Sequence, residues 1–209
     1  MLELLTGSGM AMAAGLNGYV PLIGLGLLSR YTDLLALPAG WGWLESTPAL
    51  VVLGVLLAVE VVADKIPVVD SVNDVLQTVV RPAAGGIVFA AGSASETTAV
   101  ADPGTLLQDW QWVPVVLGVL LALTTHTTKA VARPAVNTVT AGTGAPVVSA
   151  AEDVSAVALV LVSVVLPALV ALLVVVVVVL LVLAVRRRIA ARAARPLRHA
   201  SGGPPGLPG

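Results

Sequence analysis

Val154–Val185 is an unbroken run of 32 residues whose only polar members are Ser155 and Ser163. As a helix it would measure about 48 Å, against about 30 Å of hydrocarbon in a bilayer. The run is therefore too long for one crossing. The chain is expected to turn near Pro167 and cross twice, with the first helix starting near Ser149. The remaining composition agrees: 57% of the 209 residues are apolar, 11% are charged, and the mean hydropathy is +0.99. A soluble domain carries about 25% charged residues, and a disordered chain needs low hydrophobicity, so both classes are excluded. Without cysteine there is no disulfide, thiolate zinc site or cysteine nucleophile.

Four further stretches are apolar enough to span: Met10–Leu28, Pro48–Ala63, Val75–Ala91 and a segment from Trp112 to between Thr125 and Ala132. The third requires a break at Arg81-Pro82. Met1–Gly9 carries no base and is read as uncleaved. Arg186, Arg187, Arg188, Arg192, Arg195 and Arg198 follow the last apolar run, which places the C-terminus in the cytoplasm. The stretch with Glu96, Asp102 and Asp109 has no base and suits the outside. Six spans with both termini inside satisfy these constraints. The reading is thus an all-α, polytopic transmembrane helix bundle in the bacterial inner membrane. Residues 1–185 form one membrane domain, and 186–209 a basic anchor with a Gly/Pro-rich, disordered end at Ser201–Gly209.

The octapeptide Val51–Ala58 recurs letter for letter at Val115–Ala122, and each copy has a lysine seven residues later, Lys65 and Lys129. Tryptophans precede each copy (Trp41, Trp43; Trp110, Trp112), and an Arg-Pro follows it (Arg81-Pro82; Arg133-Pro134). Either a Val/Leu/Ala-rich chain repeats itself by chance, or units 41–92 and 110–167 are duplicates, each with a broken or re-entrant helix. Gly54 and Gly118 hold the same place in the two copies and would permit close helix contact.

Charged groups at membrane depth cost roughly 2.5–3.5 kcal/mol each, so they need partners, water or a function. Here they gather in two clusters. Glu60, Asp64 and Lys65 lead to a helical face of Asp70, Asp74, Gln77 and Arg81, with Asn73 beside it. His126, Lys129, Arg133 and Asn137 form a second face, with Pro134 interrupting the hydrogen-bond ladder. Ser149-Ala-Ala-Glu152 reads as a capping box opening the last apolar run, with Glu152-Asp153 complementing the helix dipole. Asn17, between Gly15 and Gly18, either caps a break in the first span or presents backbone groups to a ligand.

These residues carry a resemblance. Ala63–Asp74 with Arg81–Gly85, Gly15–Pro21, His126–Lys129, Arg133, Asn137 and Ser149–Asp153 are together similar to the bacterial membrane family called domain of unknown function 4126. The resemblance spans about Met10 to Val185 in order. It implies a multi-pass fold and carries no catalytic assignment.

The candidate site for a substrate or ion comprises Asp64, Asp70, Asp74, His126, Lys129, Arg133, Asn137 and Asn17. Asp70 and Asp74, four apart, are also candidate ligands for Mg²⁺ or Mn²⁺. The competing reading pairs these acids with Lys65, Arg81, Lys129 and Arg133 as structural bridges. His126 is either a hydrogen-bonded helix residue or a proton relay. The leading function is transport or permeation of a small solute, ion or anionic lipid head group. The alternatives are a metal-dependent intramembrane enzyme on a lipid or polyprenyl phosphate, and a structural or assembly protein. No nucleotide, triad or zinc motif is present, and no cofactor is expected. The bilayer itself is the expected partner, with anionic lipids at Arg186–Arg198. Nucleic acid is not expected, since that stretch has no aromatic residues.

Overall fold

A computed structural model describes residues 2–93 and 112–193. Seven α-helices follow one another there: α1 (Leu2–Leu16), α2 (Tyr19–Tyr31), α3 (Thr47–Ala63), α4 (Pro67–Ser93), α5 (Trp112–Val139), α6 (Ala145–Val165) and α7 (Pro167–Ala193). A short 3-10 helix, Ala39–Glu45, lies between α2 and α3. The chain divides into two units, residues 1–172 and 173–209. Within the second, the described part is the remainder of α7, on which Arg186 and Arg187 are exposed. The segment with Glu96, Asp102, Asp109 and Trp110, the side chains of Arg188, Arg192, Arg195 and Arg198, and the 201–209 end lie outside the described residues.

In the first unit α1 is the central helix, packed on α4, α5 and α6 and touching α2. Its sequence explains that position. Gly7, Gly9, Ala11, Ala13, Ala14 and Gly15 are all buried, and such small residues let neighbouring backbones come close. A Cβ on Gly15 would meet the Ala122 carbonyl and the Thr125 side chain on α5. The apolar core joins Met10, Leu25, Leu44, Val88, Phe89 and Val160 around this helix. By contrast α3 buries only Leu53 and Glu60 and turns Val51, Val52, Val55, Val59 and Val62 outward. An apolar outer surface of this extent suits contact with hydrocarbon.

Three helices are long and apolar enough to cross a membrane among the described residues: Val72–Ser93, Trp112–Val139 and Ala145–Val165. Thr47–Ala63 and Pro167–Val176 are apolar but shorter. The 32-residue apolar run does divide near Pro167. Leu166 leaves the helical conformation (φ −135°, ψ 58°), as the residue before a proline tends to do.

Several local expectations are corrected. Met10–Leu28 is interrupted at Asn17-Gly18, and of the two readings of Asn17 it is the cap of a break that the structure shows. Neither α4 nor α5 breaks at its proline; Pro82 and Pro134 sit inside continuous helices. A proline removes one ladder bond but need not end a helix that tertiary packing holds on both sides. Around Pro82 that packing is extensive, with Arg81, Ala84, Gly85, Gly86 and Val88 all buried. The capping box is also absent. α6 starts at Ala145, with Gly144 as N-cap and a proline in its first turn, so Ser149 lies a turn inside and is fully buried. The two identical octapeptides share helical structure, but their continuations differ. α3 ends at Ala63, whereas α5 runs on to Val139.

Candidate functional site

The ionic centre is assembled from four helices and the break after α1. α3 delivers Glu60 in its last turn and Asp64 at its C-cap. A tight turn through Lys65 and Ile66 then leads into Pro67, which starts α4. On α4, Asn73, Gln77 and Arg81 share one face at helical spacing, with Asp74 beside them. α5 contributes His126, Lys129 and Arg133, all buried, and α6 contributes Ser149, Glu152 and Asp153.

Asp64 is the hub. Its Oδ2 faces Arg133 Nη2 at 3.0 Å, Lys129 Nζ at 3.2 Å and Arg81 Nη2 at 3.6 Å. Its Oδ1 accepts a hydrogen bond from Asn73 Nδ2 at 2.9 Å. Burial pushes the Asp64 carboxyl up, but the Lys129 and Arg133 cations and the Asn73 donor outweigh it, so its pKa is lowered from the ordinary 3.8. A carboxylate with a depressed folded-state pKa contributes stability that is complete above the unfolded value and lost as pH falls through the folded one. The melting temperature in detergent is therefore expected to decline below the ordinary carboxylate range in the native chain. That decline should shrink in Asp64→Asn, as thermal melts across pH would record.

Lys129 Nζ donates to Leu16 O at 3.1 Å and Asp64 Oδ2 at 3.2 Å and forms an ion pair with Glu152 Oε2 at 3.0 Å. Leu16 O is free to accept because α1 stops there, leaving its last carbonyls without helical partners. Asn17 holds the break in place. Its Oδ1 accepts from the Tyr19 and Val20 amides, and its Nδ2 donates to Asp153 Oδ1 at 3.0 Å. Arg133 grips Glu152 with two donors, Nε to Oε1 and Nη2 to Oε2, the bidentate geometry that suits guanidinium.

Arg81 is fully buried. Nη2 donates to Glu60 Oε1 at 2.9 Å, while Nη1 lies 3.5 Å from Asp74 Oδ1 and 2.9 Å from His126 Nδ1. A guanidinium can only donate, so His126 Nδ1 accepts. The ring proton then sits on Nε2, which faces Thr78 Oγ1 at 3.2 Å. Thr78 in turn donates to Asp74 O, so the tautomer follows from the contacts on both sides. Glu60 Oε2, Gln77 Oε1, Arg81 Nε and Ser149 Oγ are buried atoms without a hydrogen-bond partner among the described residues.

The structure thus brings Asp64, Asp74, His126, Lys129 and Arg133 into one network through Arg81 and Glu152, with Asn17 beside it, holding the break whose Leu16 carbonyl Lys129 meets. Asp70 lies on the first turns of α4, and its side chain is outside the described residues. Asn137 sits one turn beyond Arg133 beside Val136 and Ala145, and its side chain does not join the network. Lys65 is exposed and bonds the Val61 carbonyl of its own helix, so it pairs with none of these acids. Among the described residues no group of three or more His, Asp or Glu side chains is arranged to hold a metal. Sequence reasoning passed over the Leu16 carbonyl and Thr78. The first becomes visible only once the helix break is known. Glu152 does pair with Lys129 and Arg133, as its place among the acids set against the bases allows.

Apolar helices long enough to cross a bilayer, closed around a buried ionic centre, define an all-helical membrane protein. The chain belongs to the family described as Domain of unknown function (DUF4126), whose model matches residues 4–187. No curated protein and no solved structure matches it.

Proposed function

We propose that this protein passes a small cation or cationic solute through its ionic centre. The observation that carries the reading is the seat of the Lys129 ammonium, between the free carbonyl end of a broken helix and two carboxylates from different helices. Interrupted helices whose carbonyl ends meet carboxylates are where membrane transporters hold coupling ions. The balance of charge favours cations over anions. Among the described side chains five acids, Glu60, Asp64, Asp74, Glu152 and Asp153, gather there with three bases, Arg81, Lys129 and Arg133, and Asp153 pairs with none of the three. On this reading the chain makes about six crossings of the bacterial inner membrane. Its arginine-rich end lies in the cytoplasm against anionic lipids, as the positive-inside rule requires.

The test is flux of protons, Na⁺, K⁺ and methylammonium into proteoliposomes. Asp74 is the most exposed acid paired with Arg81 and is held at a long 3.5 Å, so its neutralisation disturbs the fold least. Asp74→Asn and Asp70→Asn are expected to cut flux about tenfold or more while the protein still inserts and purifies. No flux of any of the four ions by the native chain removes the proposal.

A second reading, a structural membrane protein with a locked ionic core, is favoured by one observation: the buried Lys129 ammonium is hydrogen-bonded to Leu16 O and Asp64 and ion-paired with Glu152. It expects charge-preserving exchanges, such as Lys129→Arg, to be neutral in every functional assay.

A further inference from the structure

α1 and α2 both lie on one side of the ionic centre. α1 starts beside the C-terminal end of α4, where a Cβ on Gly7 would meet the Phe89 carbonyl and the Ser93 amide. It ends at the centre, where the Leu16 carbonyl meets Lys129. α2 runs back from there. Gly18 lies against Arg81 at the centre, Gly24 against Val160, and Gly26 against the Leu44 carbonyl. In its last turn Arg30 donates to Glu45 O and Thr47 Oγ1, at the start of α3. α3 then leads from Thr47 to Glu60 and Asp64, whose partners Arg81 and Asn73 stand on α4 in the reverse order along the chain. The start of α1, the end of α2, the start of α3 and the end of α4 therefore share one end of the bundle. The opposite end carries the turn at Lys65 and the turn at 140–144.

Helix length agrees with this path. α1 and α2, of 15 and 13 residues, rise about 20 Å each, short of the hydrocarbon thickness of about 30 Å. α4 and α5, of 27 and 28 residues, rise about 40 Å, enough for the whole bilayer. Tyr31, Trp43 and Trp112 are exposed at the end where α1 starts and α2 stops, and such residues favour the membrane–water boundary. We propose that α1 and α2 form a re-entrant hairpin: it enters and leaves the bilayer by this aromatic end, seals the ionic centre with its Leu16–Gly18 tip, and leaves the centre open to water from the Lys65 end alone. The hairpin replaces the single crossing expected over Met10–Leu28. Above the tip the helices touch backbone to backbone, Gly15 on the Ala122 carbonyl and Gly85 on the Gly118 carbonyl. The tip is fastened by Leu16 O to Lys129 and by Asn17 to Asp153. Exposure of the acids follows the same direction. The side chains of Asp74 and Glu152 are 20% and 14% exposed, against 1% for Glu60, one turn nearer the aromatic end than Asp64. The inference concerns the route to the centre and holds whether or not an ion is carried.

The chain has no cysteine, so single cysteines report on it without background. Leu4→Cys, Leu34→Cys, Lys65→Cys and Thr143→Cys, all at exposed positions, are treated with a membrane-impermeant maleimide in right-side-out and inside-out vesicles. The Leu4 and Leu34 variants are expected to react from one side, and the Lys65 and Thr143 variants from the other. An epitope ahead of Met1, removed by protease from one side only, reads the N-terminal position a second time should Leu4→Cys face lipid. Asp74→Cys tests the route to the centre. A cationic methanethiosulfonate should modify it from the Lys65 side and leave it untouched from the Leu34 side. Reaction of the Leu4 and Leu34 variants from opposite sides would establish one continuous first crossing and overturn the hairpin. Modification of Asp74→Cys from the Leu34 side, or from neither side, would overturn the one-sided route. Labelling does not depend on flux, so the absence of ion transport leaves these outcomes intact and the two proposals fail separately.

Discussion

Asp64→Asn is expected to lower the melting temperature in detergent more than Glu60→Gln, Asp74→Asn or Glu152→Gln. The shapes are matched in each case, so the comparison isolates charge. Among the described carboxylates, Asp64 alone faces Arg81, Lys129 and Arg133 together, with 3% of its side chain exposed. Neutralising one member of a buried pair leaves its partner as an uncompensated charge, which costs about 3–5 kcal/mol. Glu60 and Asp74 pair with Arg81 alone, and Glu152 leaves Asp64 to hold both Lys129 and Arg133. Lys65→Ala is the control. That lysine bonds only its own helix and is exposed, so its loss should lie within about 0.5 kcal/mol of neutral. The double variant Asp64→Asn/Lys129→Met separates a hub from a general polar requirement. If Lys129 is destabilised chiefly by losing Asp64, removing both should cost less than the sum, by about 0.5–3 kcal/mol. Strict additivity, or an Asp64→Asn variant as stable as the native chain, would refute the hub assignment.

The membrane character, the helical class and the two polar faces were legible because each rests on composition or on a 3.6-residue period. The faces Gln77/Arg81 and Lys129/Arg133 project into one centre as their spacing indicates. Which acid meets which base was not legible, since it depends on contacts between residues as distant as Asp64 and Arg133. Lys65 illustrates this: it neighbours Asp64 in sequence and matches Lys129 in the repeated pattern, yet it points away from the centre. The prolines misled in the other direction. A missing ladder bond at Pro82 reads as a chain break, but the packing of α4 on α1 and α5 keeps the helix continuous. The true break, at Asn17-Gly18, was marked only by a small polar residue among glycines. Asn17 makes that break by offering its own oxygen to the Tyr19 and Val20 amides.

The repeated octapeptide supplies the sharpest test of what positions the ionic centre, because its two glycines occupy different surroundings. Around Gly54 nothing lies within 4 Å of where a Cβ would stand. Gly118 faces α4, and its Cβ would fall inside the contact distance of the Gly85 carbonyl oxygen and Phe89 Cβ. Gly85 is equally constrained, by the Ala122 side chain and the Gly118 carbonyl. α4 and α5 therefore run antiparallel with backbones nearly touching, Gly85 opposite Ala122, and one turn further on Arg81 meets His126 Nδ1 at 2.9 Å. Gly118→Ala must push backbone against backbone, which no rotamer change relieves. It is expected to cost about 1–3 kcal/mol or more, as overpacking does. Gly54→Ala should be neutral or stabilising by up to about 1 kcal/mol, since alanine is the better helix former and meets no neighbour. Separating α4 from α5 also lengthens the Arg81–His126 contact. The Gly118 variant should therefore shift the His126 ring nitrogen resonances in NMR of isotope-labelled protein, and the Gly54 variant should leave them in place. Equal effects of the two substitutions would mean that the α4–α5 approach does not set the geometry of the centre.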